Sequence, residues 1–207
     1  MCFSAKSSLS AFFLGIISSI LLIYFGNKKY NKENTAFGIY FIYVSFMQLF
    51  DYLFWNDLDN KNKINEKVTL IAPLFIFYQP LVLFIIKSII FKNIKFSLFS
   101  IINFFYIISV YIDYTKFLKN EKNKITNVKH NHLHWPWKKY QNLYFYFILL
   151  LLNVFYLTNF KYSFLIFLLG TFFILISNFY FNYSIGEVWC FFVVLIPLIM
   201  IPLSCLI

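Results

Sequence analysis

Apolar residues in this chain do not alternate with polar ones; they run together. Seven runs stand out, at 9–26, 35–56, 68–91, 96–113, 142–158, 163–183 and 187–207. Each is long enough for a helix to cross roughly 30 Å of hydrocarbon. The connectors are short and polar: "NKKYNKEN", "NDLDNKNKINEK", "KNIK" and "NFKYS". One long polar loop, 114–141, is the exception. The pattern predicts an all-α fold, a bundle of seven transmembrane helices forming a single transmembrane domain over 1–207. Pro73 and Pro80 inside the third run, and Pro197 and Pro202 inside the last, read as kinks. Lys87 lies near the end of the third run, where its long side chain is expected to snorkel to the interface. The first run reads as a retained helix and not as a cleaved signal peptide.

Composition strengthens that reading. Of 207 residues, 61% are hydrophobic, 24% aromatic and only 13% charged, and mean hydropathy is +0.71. A soluble domain carries about 25% charged residues. The net charge is +10, and every basic residue is Lys. Arg is the usual residue for a bidentate grip on phosphate, so its absence argues against nucleic acid as a partner. The expected partner is the lipid bilayer, with the Lys residues as loop charges and loop 114–141 as a candidate contact for anionic lipid. Heavy use of Phe, Ile, Asn, Lys and Tyr suggests an AT-rich genome. Cys2, Cys190 and Cys205 are too few and too scattered for a disulfide framework or zinc finger. No phosphate-binding loop, dinucleotide fingerprint, nucleophile elbow or H-E-x-x-H motif occurs.

Seven spans fix which connectors share a membrane face. The face that carries the N-terminus also holds loops 57–67, 114–141 and 184–186, with 11 Lys against 7 on the other side. The positive-inside rule therefore places the N-terminus in the cytoplasm. The same alternation gathers the unusual polar residues. Cys2 and Ser4 precede the first span; Asp51, Trp55 and Asn56 close the second; Asp113 closes the fourth. His130, His132 and His134 lie in the long loop, and Glu187 and Cys190 open the seventh span. All fall on one face.

Two helical stripes emerge. Gln48, Asp51 and Trp55 stand at i, i+3 and i+7, and Glu187 and Cys190 at i and i+3. A carboxylate within a membrane helix costs a few kcal/mol, about 2.5–3.5 at the centre on insertion scales, so Asp51 is expected to face the bundle interior. The plainer alternative makes Asp51 and Glu187 interfacial residues at helix ends, with Glu187 favoured by the helix dipole. The H-x-H-x-H pattern presents alternate side chains on one face of an extended segment. His132 and His134 are thus candidate ligands for a divalent transition metal, although solvated loop histidines have the same spacing. Trp135 and Trp137 of "HWPWKK" read as aromatic-belt anchors, and Asn103, Asn153 and Asn178 as interhelical hydrogen-bonding residues.

Three short motifs carry a resemblance: "MCFSAKSS" at the start, "MQLFDYLFW" in the second run and "EVWCFFVV" in the last. Together they resemble a family of multi-pass membrane proteins of bacteria and large DNA viruses. Its members begin Met-Cys-Phe-Ser, carry a Gln-Gln-x-x-Glu-Gly-x-x-Trp-like motif in an early helix and open their last helix with Trp-Cys-Phe. The resemblance puts weight on Cys2, Phe3, Ser4, Gln48, Asp51, Trp55, Trp189 and Cys190. Asp51 stands where Glu is usual and Met47 where the first Gln is. Glu187 occupies a position that is often small in the bacterial pattern, which suits a viral subgroup. The resemblance implies a membrane fold and no particular reaction.

The expected site is a polar pocket at one membrane face, lined by Cys2, Ser4, Gln48, Asp51, Trp55, Glu187, Trp189 and Cys190, with the His loop above it. Three functions fit such a site. A small-ligand or ion transporter or channel would use Asp51 and Glu187 to handle protons or cations. A membrane-embedded enzyme would use a metal or an acid/base pair on a lipid or redox substrate. A structural protein of a viral membrane would need neither.

Overall fold

The structure, a computed structural model, describes residues 4–93, 98–120, 125–129, 132–180 and 185–207; for residues 129 and 185–187 it describes the backbone alone. Helix α1, Ala5–Phe25, begins at Ser4. The Ser4 hydroxyl accepts from the Ser7 N–H at 3.2 Å, and the Ser7 hydroxyl accepts from the Ser4 N–H at 3.1 Å. This reciprocal cap serves donors that the first turn leaves without helical partners. The buried face of α1 is Ser8, Ala11, Gly15, Ser18, Ser19 and Leu22. Small residues at such spacing let two helix backbones approach closely.

That face meets α2, Asn31–Asn56, which is entered through a single 3₁₀ turn at Lys28–Tyr30. The approach is close enough to require glycine. A Cβ on Gly15 would lie 2.1 Å from Ser45 Oγ, and one on Gly38 would lie 2.5 Å from Ile23 Cγ1. Helix α2 is the axis of the molecule. Its buried residues run from Glu33 to Phe54 and take in Asn34, Ser45, Gln48 and Asp51.

The run 68–91, expected as one kinked span, is two helices. Helix α3, Ile64–Phe77, and helix α4, Gln79–Ile90, are bent by 53° at Tyr78. Pro80 has no N–H to give the preceding turn. Tyrosine hydroxyls from neighbouring helices take up carbonyls near the bend. Tyr43 donates to Phe75 O at 2.9 Å and Tyr106 to Phe77 O at 2.7 Å; about two turns earlier in α3, Tyr114 donates to Leu70 O at 3.0 Å.

Helix α5, Leu98–Asn120, continues past its expected end at 113. The rest of 114–141 is not simply a polar loop. Strands β1, Asn127–Lys129, and β2, His132–His134, form an antiparallel hairpin that pairs Asn127 with His134, Val128 with Leu133 and Lys129 with His132. Its base is tied to α3: Thr126 N–H donates to Asn65 Oδ1 at 2.9 Å, and Asn65 Nδ2 donates to Thr126 O at 2.8 Å. Leu133, Trp135 and Trp137 are all buried. The two Trp residues, expected at the headgroup level, instead pack into the protein; Trp137 lies against Phe54 of α2 and Phe117 of α5.

Helix α6, Leu143–Phe155, is shorter than the expected 142–158. Its 13 residues rise only about 20 Å. The chain leaves the helix at Tyr156 and turns through Leu157, whose φ is 62°. Helix α7 spans Phe160–Tyr180. The last run is broken into α8, Ile185–Val193, and α9, Ile196–Leu203. Pro197 cannot donate to Val193 O, and Ser18 of α1 supplies a hydroxyl to the next carbonyl, Val194 O, at 3.2 Å.

Among the described residues, four helical stretches are long and apolar enough to cross a membrane: Ala5–Phe25, Lys28–Asn56, Leu98–Asn120 and Phe160–Tyr180. The bent α3–α4 pair makes a fifth if it counts as one passage. Outward-facing positions are apolar, among them Phe13, Ile17, Phe104, Phe105, Phe172 and Leu175. A surface of that kind fits hydrocarbon and is disfavoured in water.

Candidate functional site

The stripe read from the second run faces inward. Gln48 and Asp51 are fully buried and Trp55 is half-buried. The long loop supplies a partner: Trp135 Nε1 donates to Asp51 Oδ1 at 3.1 Å. Strand alternation explains the geometry. Leu133 points into the core, so His132 and His134 share the other face of β2, both half-buried. The chain then leaves the strand and brings Trp135 against α2. Trp135 stacks on Trp137, with ring centroids 5.3 Å apart and planes 17° apart.

Around Asp51 several polar atoms are buried without a partner among the described residues. They include both amide atoms of Gln48 and the indole nitrogens of Trp55 and Trp137. Buried polar groups are satisfied by protein or by ordered water in most structures. An amide with both ends unpartnered, one turn from a buried carboxylate, therefore marks a polar site among aromatic walls.

The other expected members are distributed more widely. Ser4 is exposed and caps α1. Cys2, His130 and the Glu187 side chain lie outside the described residues. Cys190 is fully buried in α8 and lies near enough to Tyr40 and Tyr146 to interact electrostatically with their hydroxyls. Tyr40 stands three turns before Asp51 on α2, about 16 Å along the axis. Trp189 faces α7, where its Nε1 donates to Gly170 O at 3.2 Å. Gln48, Asp51, Trp55 and the hairpin thus form one group; Cys190 and Trp189 lie apart from it, Cys190 beside Tyr40 and Tyr146 and Trp189 against α7. No group of three or more His, Cys, Asp or Glu side chains converges as metal ligands among the described residues.

A second polar cluster, which the sequence reading did not assemble, occupies the far end of α2. Lys87 does not snorkel outward; it is fully buried. Its Nζ donates to Asn153 O at 2.7 Å, Val154 O at 2.6 Å and Thr158 Oγ1 at 3.2 Å, and it lies 4.6 Å from the Phe37 ring centroid. The two carbonyls belong to the last turn of α6, at the negative end of its dipole. The Lys87 Nζ explains how α6 can end inside the protein. Asn153 also donates to Pro80 O and to Asn103 Oδ1, as the interhelical role expected of both residues requires. Tyr162 donates to Asn34 Oδ1 at 2.7 Å, and the Asn159 N–H donates to Glu33 Oε1 at 3.1 Å. Deeper in the bundle Tyr146 donates to Gln79 Oε1. A Gln beside a mid-span proline was the sequence signal for this last contact.

Compared with protein-family descriptions, curated proteins and solved structures, the chain matches none.

Proposed function

We propose that the chain is a multi-pass integral membrane protein with seven helical passages, some of them broken or short. In this reading it is a transporter- or channel-like protein that takes a small ligand or ion at the hairpin-covered end of α2. Membership of the Met-Cys-Phe-Ser family and a cytoplasmic N-terminus belong to the same reading. The observation that supports it best is the Gln48–Asp51 pair: a fully buried carboxylate, with a fully buried amide one turn away that has no partner among the described residues. A carboxylate kept inside a membrane bundle is costly, and such groups mark ion and proton paths.

Flux measurements test it. The protein is reconstituted in liposomes that hold a pH-sensitive dye, and proton and ²²Na⁺ entry are followed under an imposed gradient. Wild-type vesicles should pass one of the two ions faster than empty vesicles, and Asp51→Asn should return the rate to that of empty vesicles. Wild-type rates equal to those of empty vesicles for both ions, or an unchanged rate in Asp51→Asn, would remove Asp51 as the ion-handling group.

A further inference from the structure

A separate cavity of about 390 Å³ lies between α2, α6, α7, α8 and α9. That volume falls within the range of about 300–1,000 Å³ typical of small-molecule sites. Its walls are almost wholly apolar, with Phe41 of α2, Phe147 of α6, Ile166 of α7 and Trp189 of α8 among them. In its α7–α8 wall Trp189 Nε1 already donates to Gly170 O.

The cavity has a mouth. Ile148 and Leu151 of α6 line it and are also exposed on the outer surface. The neighbouring outward positions on α7, Leu168, Phe172 and Leu175, are exposed and apolar. With the chain in a bilayer, the medium at that mouth is hydrocarbon. Gly170 sits in the cavity wall, and a Cβ built there meets nothing within 4 Å. Every other wall position carries a side chain, so Gly170 keeps this part of α7 open at the helix-propensity cost of a mid-helix glycine.

We infer that this cavity takes one acyl chain of a bilayer lipid, inserted sideways between α6 and α7. The inference rests on the bilayer placement proposed above and is independent of Asp51. Apolar walls supply the affinity. A water-borne polar ligand would find almost no hydrogen-bonding groups here, and its only approach would lie through lipid.

The test uses the full chain in vesicles containing phosphatidylcholine with a photoactivatable diazirine near the end of one acyl chain. Crosslinks are mapped by mass spectrometry. Peptides carrying Phe147, Thr171 and Trp189 should be labelled. Gly170→Leu should cut that labelling at least tenfold while leaving labelling of Phe104 and Phe105, on the outer face of α5, unchanged. The α5 labelling reports bilayer placement by itself, so loss of α5 labelling overturns the membrane reading, not only the cavity. Unlabelled cavity peptides in the wild type, or equal labelling in Gly170→Leu, would overturn the acyl-chain site. Labelling by a free diazirine fatty acid but not by the phospholipid would overturn the bilayer lipid as the source. If Gly170→Leu does not fold, Ile174→Trp, one turn on along the same wall, is judged by the same ratios.

Discussion

Trp135 donates its indole N–H to Asp51 at 3.1 Å across 84 residues of sequence. This bond joins the segment that follows the hairpin to the central helix. Trp135→Phe keeps the ring and removes the donor. The expected cost is about 0.5–1.5 kcal/mol, the range for the loss of one hydrogen bond. A double-mutant cycle with Asp51→Ala, read by denaturant unfolding in detergent, should give a coupling of roughly 0.5–3 kcal/mol. A coupling near zero would mean that packing alone holds the hairpin.

Lys87 makes a different kind of contact, an Nζ donor on two carbonyls. In Lys87→Met, Val154 O still accepts from Thr158 and Ser163, but Asn153 O loses the Lys87 Nζ donor. The net loss should be about 1–3 kcal/mol. Hydrogen exchange should rise first over residues 150–155. Unchanged protection there would show that α6 ends without help from Lys87.

The α1–α2 contact makes a steric prediction. Gly15→Ala places a methyl 2.1 Å from Ser45 Oγ and 3.1 Å from Val194 Cβ. The Ser45 hydroxyl is committed to Phe41 O at 2.7 Å, so it cannot move away freely. Overpacking of this kind costs about 1–3 kcal/mol. Adding Ser45→Gly should recover part of the loss, measured by thermal unfolding; no recovery would place the clash elsewhere.

The sequence carried the helical content and the apolar runs, because length and hydropathy are local properties. It also placed Gln48 and Asp51 on one inward stripe. It did not show where the helices stop. The breaks at Tyr78 and Val194 depend on which neighbours supply hydroxyls to freed carbonyls, and the end of α6 depends on Lys87, 66 residues earlier than Asn153. Hydropathy sees none of these. Trp135 and Trp137 were misread for a related reason: aromatic residues beside Lys look alike whether they meet headgroups or a core, and only the hairpin register decides.

Asp57 gives a pH prediction outside the apolar runs. Burial pushes its carboxyl up, but N–H groups of Asn62, Asn65, Ile64 and Lys61 outweigh that and hold it below the usual aspartate value. Three of these bonds measure 3.1, 2.8 and 3.2 Å, from Asn62, Ile64 and Asn65. A carboxyl depressed in the folded state stabilises fully above its unfolded pKa, and that contribution is lost as pH falls through the folded value. The amides of Ile64 and Asn65 should therefore lose exchange protection only on acidification below the ordinary aspartate range. Asp57→Ala should lack that step and show low protection already at neutral pH.

The Ser18–Val194 bond spans 176 residues, which sets an order of events during synthesis. At about 5–20 residues per second, α1 waits roughly 10–35 s for the segment that completes its packing. Through that interval Ser18 has its own Gly15 carbonyl, at 3.1 Å, as a stand-in acceptor. The Ser18 hydroxyl thus keeps an acceptor on its own helix until the segment around Val194 has been made.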